Sequence, residues 1–256
     1  MSKHAGIGLL AVLVVSAPSA WAQVRETVVV NDSTAVFDEL ASIPEQGIPK
    51  GLLQDAQGFA IVPGLIKAGF LVGGRYGRGV VVVRDQTTGC WSNPIFVTVA
   101  GGSFGFQAGA QATDLVLVFR NRRSVDGFLK GRGKFTLGAD ASVAAGPVGR
   151  QAEAGTDIRL ESEILSYSRS RGLFAGISLE GAALSHDSRA NIAYYGQFLS
   201  PFEVLARLDL PAPASAVRLK NILSQLTGAP LSVPTPPPTE IVPPPPPPGT
   251  GWRTAH

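Results

Sequence analysis

The spacing of hydrophobic residues changes period twice along this chain, and the changes mark its organisation. Near the start, Val36, Phe37 and Leu40 fall on one side at helical spacing, and Ser33 is placed to cap them. That pattern predicts a short amphipathic helix over residues 31–41. One more helical turn follows Pro49, within residues 48–57. From residue 58 the period falls to two. Residues 58–63, 65–74 and 79–84 read as three strands. The last holds Val80, Val81, Val82 and Val83 in a row, a run that suits a strand buried on both faces, and residues 115–119 have the same character. Further on, Phe135, Leu137, Ala139, Ala141 and Val143 share one face, with Thr136, Asp140 and Ser142 on the other. Ile177 and Leu179 alternate in the same way with Ser178 and Glu180. This period predicts half-buried antiparallel strands. Short helices are expected at residues 124–130, capped by Ser124, and at 190–195, 201–207 and 214–226. In the last, Val217, Ile222, Leu223 and Leu226 lie on one stripe. The pattern predicts a mainly β fold with short flanking helices, a β-rich α+β class. Its antiparallel sheets pack as a sandwich or a closed, barrel-like core.

Composition refines the two ends. Of 256 residues, 30 are Gly and 20 Pro, which favours turns and close backbone packing over long helices. Residues 1–22 read as a signal peptide. A basic start at Lys3 and His4 precedes an apolar run from Ala5 to Val15, too short to span a bilayer, and Ala20-Trp21-Ala22 forms a cleavage pattern. The mature chain is expected to begin at Gln23, as one domain over residues 23–227. From residue 228 the composition shifts, and eleven prolines fall between Pro230 and Pro248. Residues 228–256 cannot build a core and read as a disordered, polyproline-like tail that serves as a spacer. An exported chain with Gly-rich alternating strands also fits a transmembrane β-barrel. The two-sided apolar runs and the Pro tail, in place of an aromatic closing strand, place that reading third.

Charge narrows the partners. The formal charge is +3, and losing Lys3 with the signal leaves +2, too little for a general nucleic-acid binder. The distribution says more than the sum. Arg120, Arg122, Arg123, Lys130, Arg132 and Lys134 lie within 15 residues, opposed only by Asp126. Guanidinium and ammonium groups bind phosphate, and each cation near an anionic membrane surface gains about 1 kcal/mol. These six residues are the candidate lipid-headgroup site, weighed evenly against a solvated basic turn. Arg75, Arg78 and Arg84 form a thinner group.

The sequence offers little catalytic chemistry. Gly101-Gly102-Ser103-Phe104-Gly105 satisfies G-x-S-x-G, but a nucleophile elbow needs a strand-to-helix turn, and another strand is expected next. A base for it is scarce, since His186 and His256 are the histidines after residue 22; Asp140 and Asp157 lie in a suitable order. His186-Asp187 reads as a solvated turn, and Glu161 with Glu163 as carboxylates that keep a strand soluble. Residues 75–79 match neither dinucleotide nor P-loop spacing. No His/Cys cluster supports zinc, and no cofactor is expected. Cys90 is the lone cysteine, which excludes an internal disulfide and reads as a buried structural thiol.

Several strings in chain order carry a resemblance. They begin with the entry around Ile48-Pro49, then Lys67 to Val80, Trp91-Ser92-Asn93-Pro94, Gly101 to Gly109 and Thr113 to Phe119. Gly146-Pro147-Val148-Gly149-Arg150, Gly172 to Gly181 and Tyr194-Tyr195-Gly196 close the series. This ordered set resembles the SYLF domain. The resemblance implies a β-rich domain with short helices. In eukaryotic members it also implies binding to phosphoinositide-containing membranes, with actin contacts in some. The sequence departs from those members in its export signal and in carrying no SH3 or FYVE segment. Read together, resemblance and charge predict an exported, non-enzymatic domain that binds anionic phospholipid at a bacterial cell envelope. The alternative is an envelope scaffold for protein or cell-wall partners, with the Pro-rich tail as tether and a possible protein docking strand.

Overall fold

The computed structural model describes residues 18–42, 47–131, 133–148, 162–170, 173–207, 210 and 213–231, with backbone alone at 18–22, 70–72 and 103–109. The Pro-rich tail beyond residue 231 and most of the expected signal segment lie outside the described residues.

Two long strands dominate. Strand β1 runs Gly58–Val83 and β2 runs Ile95–Phe119, paired antiparallel as one ribbon. The three strands expected over residues 58–84 are therefore one, kinked rather than broken. Its register shifts between Val62 and Leu65 and again between Gly69 and Leu71. The first shift absorbs Pro63, which has no amide to donate, and Gly64 at φ +59°, whose N–H donates to Asp114 Oδ1 at 2.8 Å. The ribbon then folds over. Arg84 N–H donates to Gln57 O at 2.9 Å, so the two ends of β1 lie side by side. Glycine permits this closure. A Cβ on Gly79 would sit 2.0 Å from Ile61 O.

The remaining strands extend the outer edge of β2. β5 (Ile164–Ser170) pairs with residues 114–119, and β7 (Ala183–His186) pairs with residues 97–100. β3 (Lys134–Thr136) lies beyond β7, while β4 (Val143–Ala145) and β6 (Leu173–Gly176) pair with β5. The β4–β5 pair is parallel and the rest antiparallel, so the sheet is mixed and curls into a half-barrel. The alternating segment 135–143 is two short strands. Gly138, at φ +91°, turns the chain between them, and Thr136 N–H donates to Asp140 Oδ2 at 2.6 Å. Phe135, Leu137, Ala141 and Val143 face one core, whereas Ala139 is exposed in the turn, so the alternation holds on either side of the turn and fails within it. Ile177 and Leu179 lie after β6 in irregular backbone; Leu179 is buried and Ile177 partly so.

Both faces of the sheet are covered, as the Val80–Val83 and 115–119 runs require. Val81, Val83, Leu115 and Leu117 enter one core, closed by α3 (Arg122–Lys130) and α5 (Pro201–Ala206). Val80, Val82, Val116 and Val118 enter the other, covered by α1 (Pro18–Ser42), α2 (Lys50–Asp55), α4 (Ser188–Tyr195) and α6 (Ala214–Thr227).

Helix α1 starts 13 residues earlier than its hydrophobic pattern suggested. The β-branched run Thr27 to Val30 argues against helix, and packing overrides it. Glu26, Val30, Ser33, Phe37 and Leu40 form the buried stripe. Burying each large apolar side chain contributes about 1.5–3 kcal/mol. Ser33 is not a cap; its Oγ donates to Val29 O at 2.7 Å from within the helix. In α6 the buried stripe is Ala216, Leu219, Lys220 and Leu223, rotated from the one expected, with Val217 only half-buried.

Candidate functional site

The basic segment is built on α3 and β3. Asn121, not Ser124, caps α3, its side chain accepting from Ser124 N–H at 2.9 Å, so the helix begins two residues earlier than expected. That start puts Arg122, Asp126 and Lys130 on one face at i, i+4 spacing. Arg122 is engaged: Nε donates to Asp126 Oδ1 at 2.9 Å and Nη1 to Arg84 O at 3.2 Å. Arg120 is half-buried and donates to Ser162 O at 3.3 Å. These two are structural. Arg123, with its side chain 92% exposed, stands 3.9 Å from Glu163, and Lys130, 71% exposed, stands 4.0 Å from Asp126. Lys134 is exposed on β3. Arg132 lies outside the described residues. The six expected cations therefore divide into two that hold the fold, three that project, and one not described. Exposed pairs at such lengths contribute about 0–1 kcal/mol, leaving the projecting three available to a phosphate.

Elsewhere, charges that seemed scattered are clamps. Arg78 Nη2 sits 2.9 Å from Glu26 and 3.2 Å from Asp187, joining α1, β1 and the start of α4. Arg169 joins Asp114 on β2 to Glu39 on α1. Sequence separations of 52 and 109 residues for the Arg78 pairs left no local signal. Residues 75–79 are strand, not a phosphate loop, and Arg75 Nη1 donates to Ser178 O at 3.2 Å. Asp187 is no solvated turn residue. It caps α4, accepting from Ala190 N–H at 3.0 Å. Glu163 is half-buried and ties Ser142 to the sheet through that residue's N–H at 3.3 Å, while Glu161 lies outside the described residues.

The residues weighed for catalysis are apart. Ser103 stands within β2, paired with Gly73 across the ribbon, rather than at a strand-to-helix turn. His186 ends β7 with its ring 4.6 Å from Phe128 edge-on, and burial lowers its pKa. Asp140 is bound to the 136–140 turn, and Asp157 lies outside the described residues. No group of three His, Cys, Asp or Glu that could hold a metal occurs among the described residues. Cys90 is half-buried rather than buried, in the 84–94 connection. The largest departure from expectation in α6 is Lys220, which is 6% exposed and donates to Asn93 Oδ1 at 2.9 Å. Burial depresses its pKa. No helix among the described residues is long and apolar enough to cross a membrane.

Residues 100–226 match the sequence profile of the Ysc84 family, described as a Las17-binding protein actin regulator. "SH3 domain-containing YSC84-like protein 1" of Homo sapiens is 41% identical over 193 residues, covering 75% of this chain and 55% of that protein. Its Rattus norvegicus counterpart is 40% identical, covering 75% and 56%. "LAS seventeen-binding protein 3" of Saccharomyces cerevisiae is 39% identical over 172 residues, covering 66% of this chain and 37% of that protein. The chain thus spans about half or less of the length of these relatives. They are named as binding or SH3-containing proteins, not as enzymes. No solved structure matches significantly. The SYLF resemblance, the curled β-rich fold and these identities agree: the chain belongs to the Ysc84, or SYLF, domain family.

Proposed function

We propose that this domain is a non-enzymatic module that binds anionic phospholipid, exported and acting at a bacterial cell envelope. The observation that carries the reading is the projection of Arg123, Lys130 and Lys134 from one end of the fold, none held by a short ion pair. Three cations within reach of a bilayer gain about 1 kcal/mol each from an anionic surface. The attraction is screened over about 10 Å at 0.1 M salt, so it is a contact-range effect.

The test is co-sedimentation of the full chain with phosphatidylglycerol-containing and pure phosphatidylcholine vesicles. Replacing Arg123, Lys130 and Lys134 together with Gln is expected to weaken anionic-vesicle binding by about 3 kcal/mol, roughly 150-fold, with the fold intact. Unchanged binding at low salt by a folded triple variant removes the assigned surface. A second reading draws on the relatives' names, which speak of Las17 binding and SH3 domains. On it, this chain is a scaffold for protein partners, with the Pro-rich tail as tether. Absence of vesicle binding by the wild type selects that reading.

A further inference from the structure

Helix α6 packs against both α1 and α2, and a hollow of about 390 Å³ opens where the three meet. Small-molecule sites commonly enclose about 300–1,000 Å³. The floor of the hollow is apolar and buried: Leu40 from α1, Ile48 from the connection before α2, and Leu53 from α2. Ala41 and Leu226, both half-buried, form its walls. Lys50 and Gln54, exposed and one turn apart on α2, stand at the rim. No acidic residue lines the hollow among the described residues.

The lining therefore grades from hydrocarbon at the bottom to a cation and an amide at the mouth. Leucine and isoleucine offer water no hydrogen-bond partners, so such a space is filled most favourably by apolar atoms. Lys50 adds positive charge where an apolar occupant would emerge. An occupant that matches both features has a hydrocarbon chain and an anionic head. If each methylene takes about the 30 Å³ of a water molecule, a chain of about a dozen carbons fills the space.

The hollow also lies on the side of the fold where the basic surface begins. Arg84 Nη1 donates to Gln54 O on α2 at 2.8 Å, and Arg122 Nη1 on α3 donates to Arg84 O at 3.2 Å. Arg84 thus bridges α2 and α3, and Arg123 is the next residue along α3. The Pro-rich tail leaves from nearby, since Gly228 edges the hollow. Polyproline segments dock in aromatic-lined grooves, however, and no aromatic residue lines this one among the described residues.

We infer that the hollow between α1, α2 and α6 takes one acyl chain of an anionic phospholipid, with Lys50 facing the phosphate. This rests on the lipid-binding reading and deepens it. Arg123, Lys130 and Lys134 draw the domain to an anionic surface, and the hollow holds a chain from that surface.

The test is isothermal titration calorimetry of the full chain with single-chain lipids kept below their micelle-forming concentrations. Decanoyl-lysophosphatidylglycerol is the probe, and monodecanoylglycerol, with the same chain and no phosphate, is the comparator. Affinity for the phosphate-headed lipid is expected to rise about fourfold per methylene from the octanoyl to the decanoyl chain. Lys50→Gln should weaken it about fivefold and leave the neutral lipid unchanged. Ala41→Trp fills the hollow and should abolish binding of both, with the fold checked by circular dichroism. Should that variant misfold, the chain-length series and Lys50→Gln decide alone. No binding by the full chain overturns the inference, and is the outcome if the Pro-rich tail occupies the hollow. Binding that ignores chain length, or that survives in a folded Ala41→Trp variant, overturns it too. Decanoate binding more tightly than the phosphate-headed lipid overturns it in favour of a free fatty acid. In each of these cases, vesicle binding through Arg123, Lys130 and Lys134 leaves the lipid reading standing. Chain- and Lys50-dependent binding without vesicle binding supports the hollow and removes the basic surface.

Discussion

Replacing Arg78 by Met tests how the long helix is held. Glu26 is 4% exposed, and Arg78 is its only ion-pair partner among the described residues. Asp187 keeps a second partner when Arg78 is lost, because Ala190 N–H still donates to it. The variant thus strands one buried carboxylate. Removing one member of a buried ion pair costs about 3–5 kcal/mol, because the remaining charge is desolvated without compensation. With a urea m-value of about 2 kcal/mol/M, the midpoint falls by about 1.5–2.5 M. Glu26→Leu combined with Arg78→Met replaces the pair by apolar groups and should recover most of the loss. Urea titrations followed by circular dichroism measure the wild type and both variants. A single variant within about 1 kcal/mol of wild type, or a double variant no better than the single, refutes the argument.

Gly146→Ala should destabilise the domain by more than about 2 kcal/mol, since its Cβ would lie 2.0 Å from the Tyr167 ring and the ring is fully buried; thermal unfolding measures it, and a neutral substitution contradicts the packing. Lys220 is held below the ordinary lysine range by burial, so between its folded pKa and about 10.4 the unfolded state binds more protons and stability rises with pH. Lys220→Met should abolish that rise below pH 10, and a variant with the wild-type slope shows that another group titrates there. Burial pushes the Tyr194 hydroxyl up to about 12. The unfolded state then loses its proton first, and stability falls between about pH 10 and 12, a fall that Tyr194→Phe should reduce.

The two-sided strands, the short helices and the family are legible from local sequence alone. Val80–Val83 and Leu115–Phe119 lack polar alternation because helices cover both faces of the sheet, and that requirement is written locally. Alternation at 135–143 likewise marked Phe135, Leu137, Ala141 and Val143 as core-facing, and erred at Ala139, which the turn exposes. The turn at Gly138 depends on a φ that spacing cannot encode. The extent of α1 was illegible because its first half is β-branched, and it is helical only through the partners of Glu26 and Val30 on distant elements. The same holds for the charges. A run of six cations is visible in sequence, yet only tertiary contacts turn Arg120 and Arg122 into structural groups and leave Arg123, Lys130 and Lys134 projecting. The ribbon was read as separate strands because Pro63 and the glycines look like breaks. In three dimensions they are bulges and close approaches, since glycine allows the backbone of β1 to pass against itself. That closure sets Arg84 beside Gln57 and within reach of Arg122, a proximity that linear order does not contain.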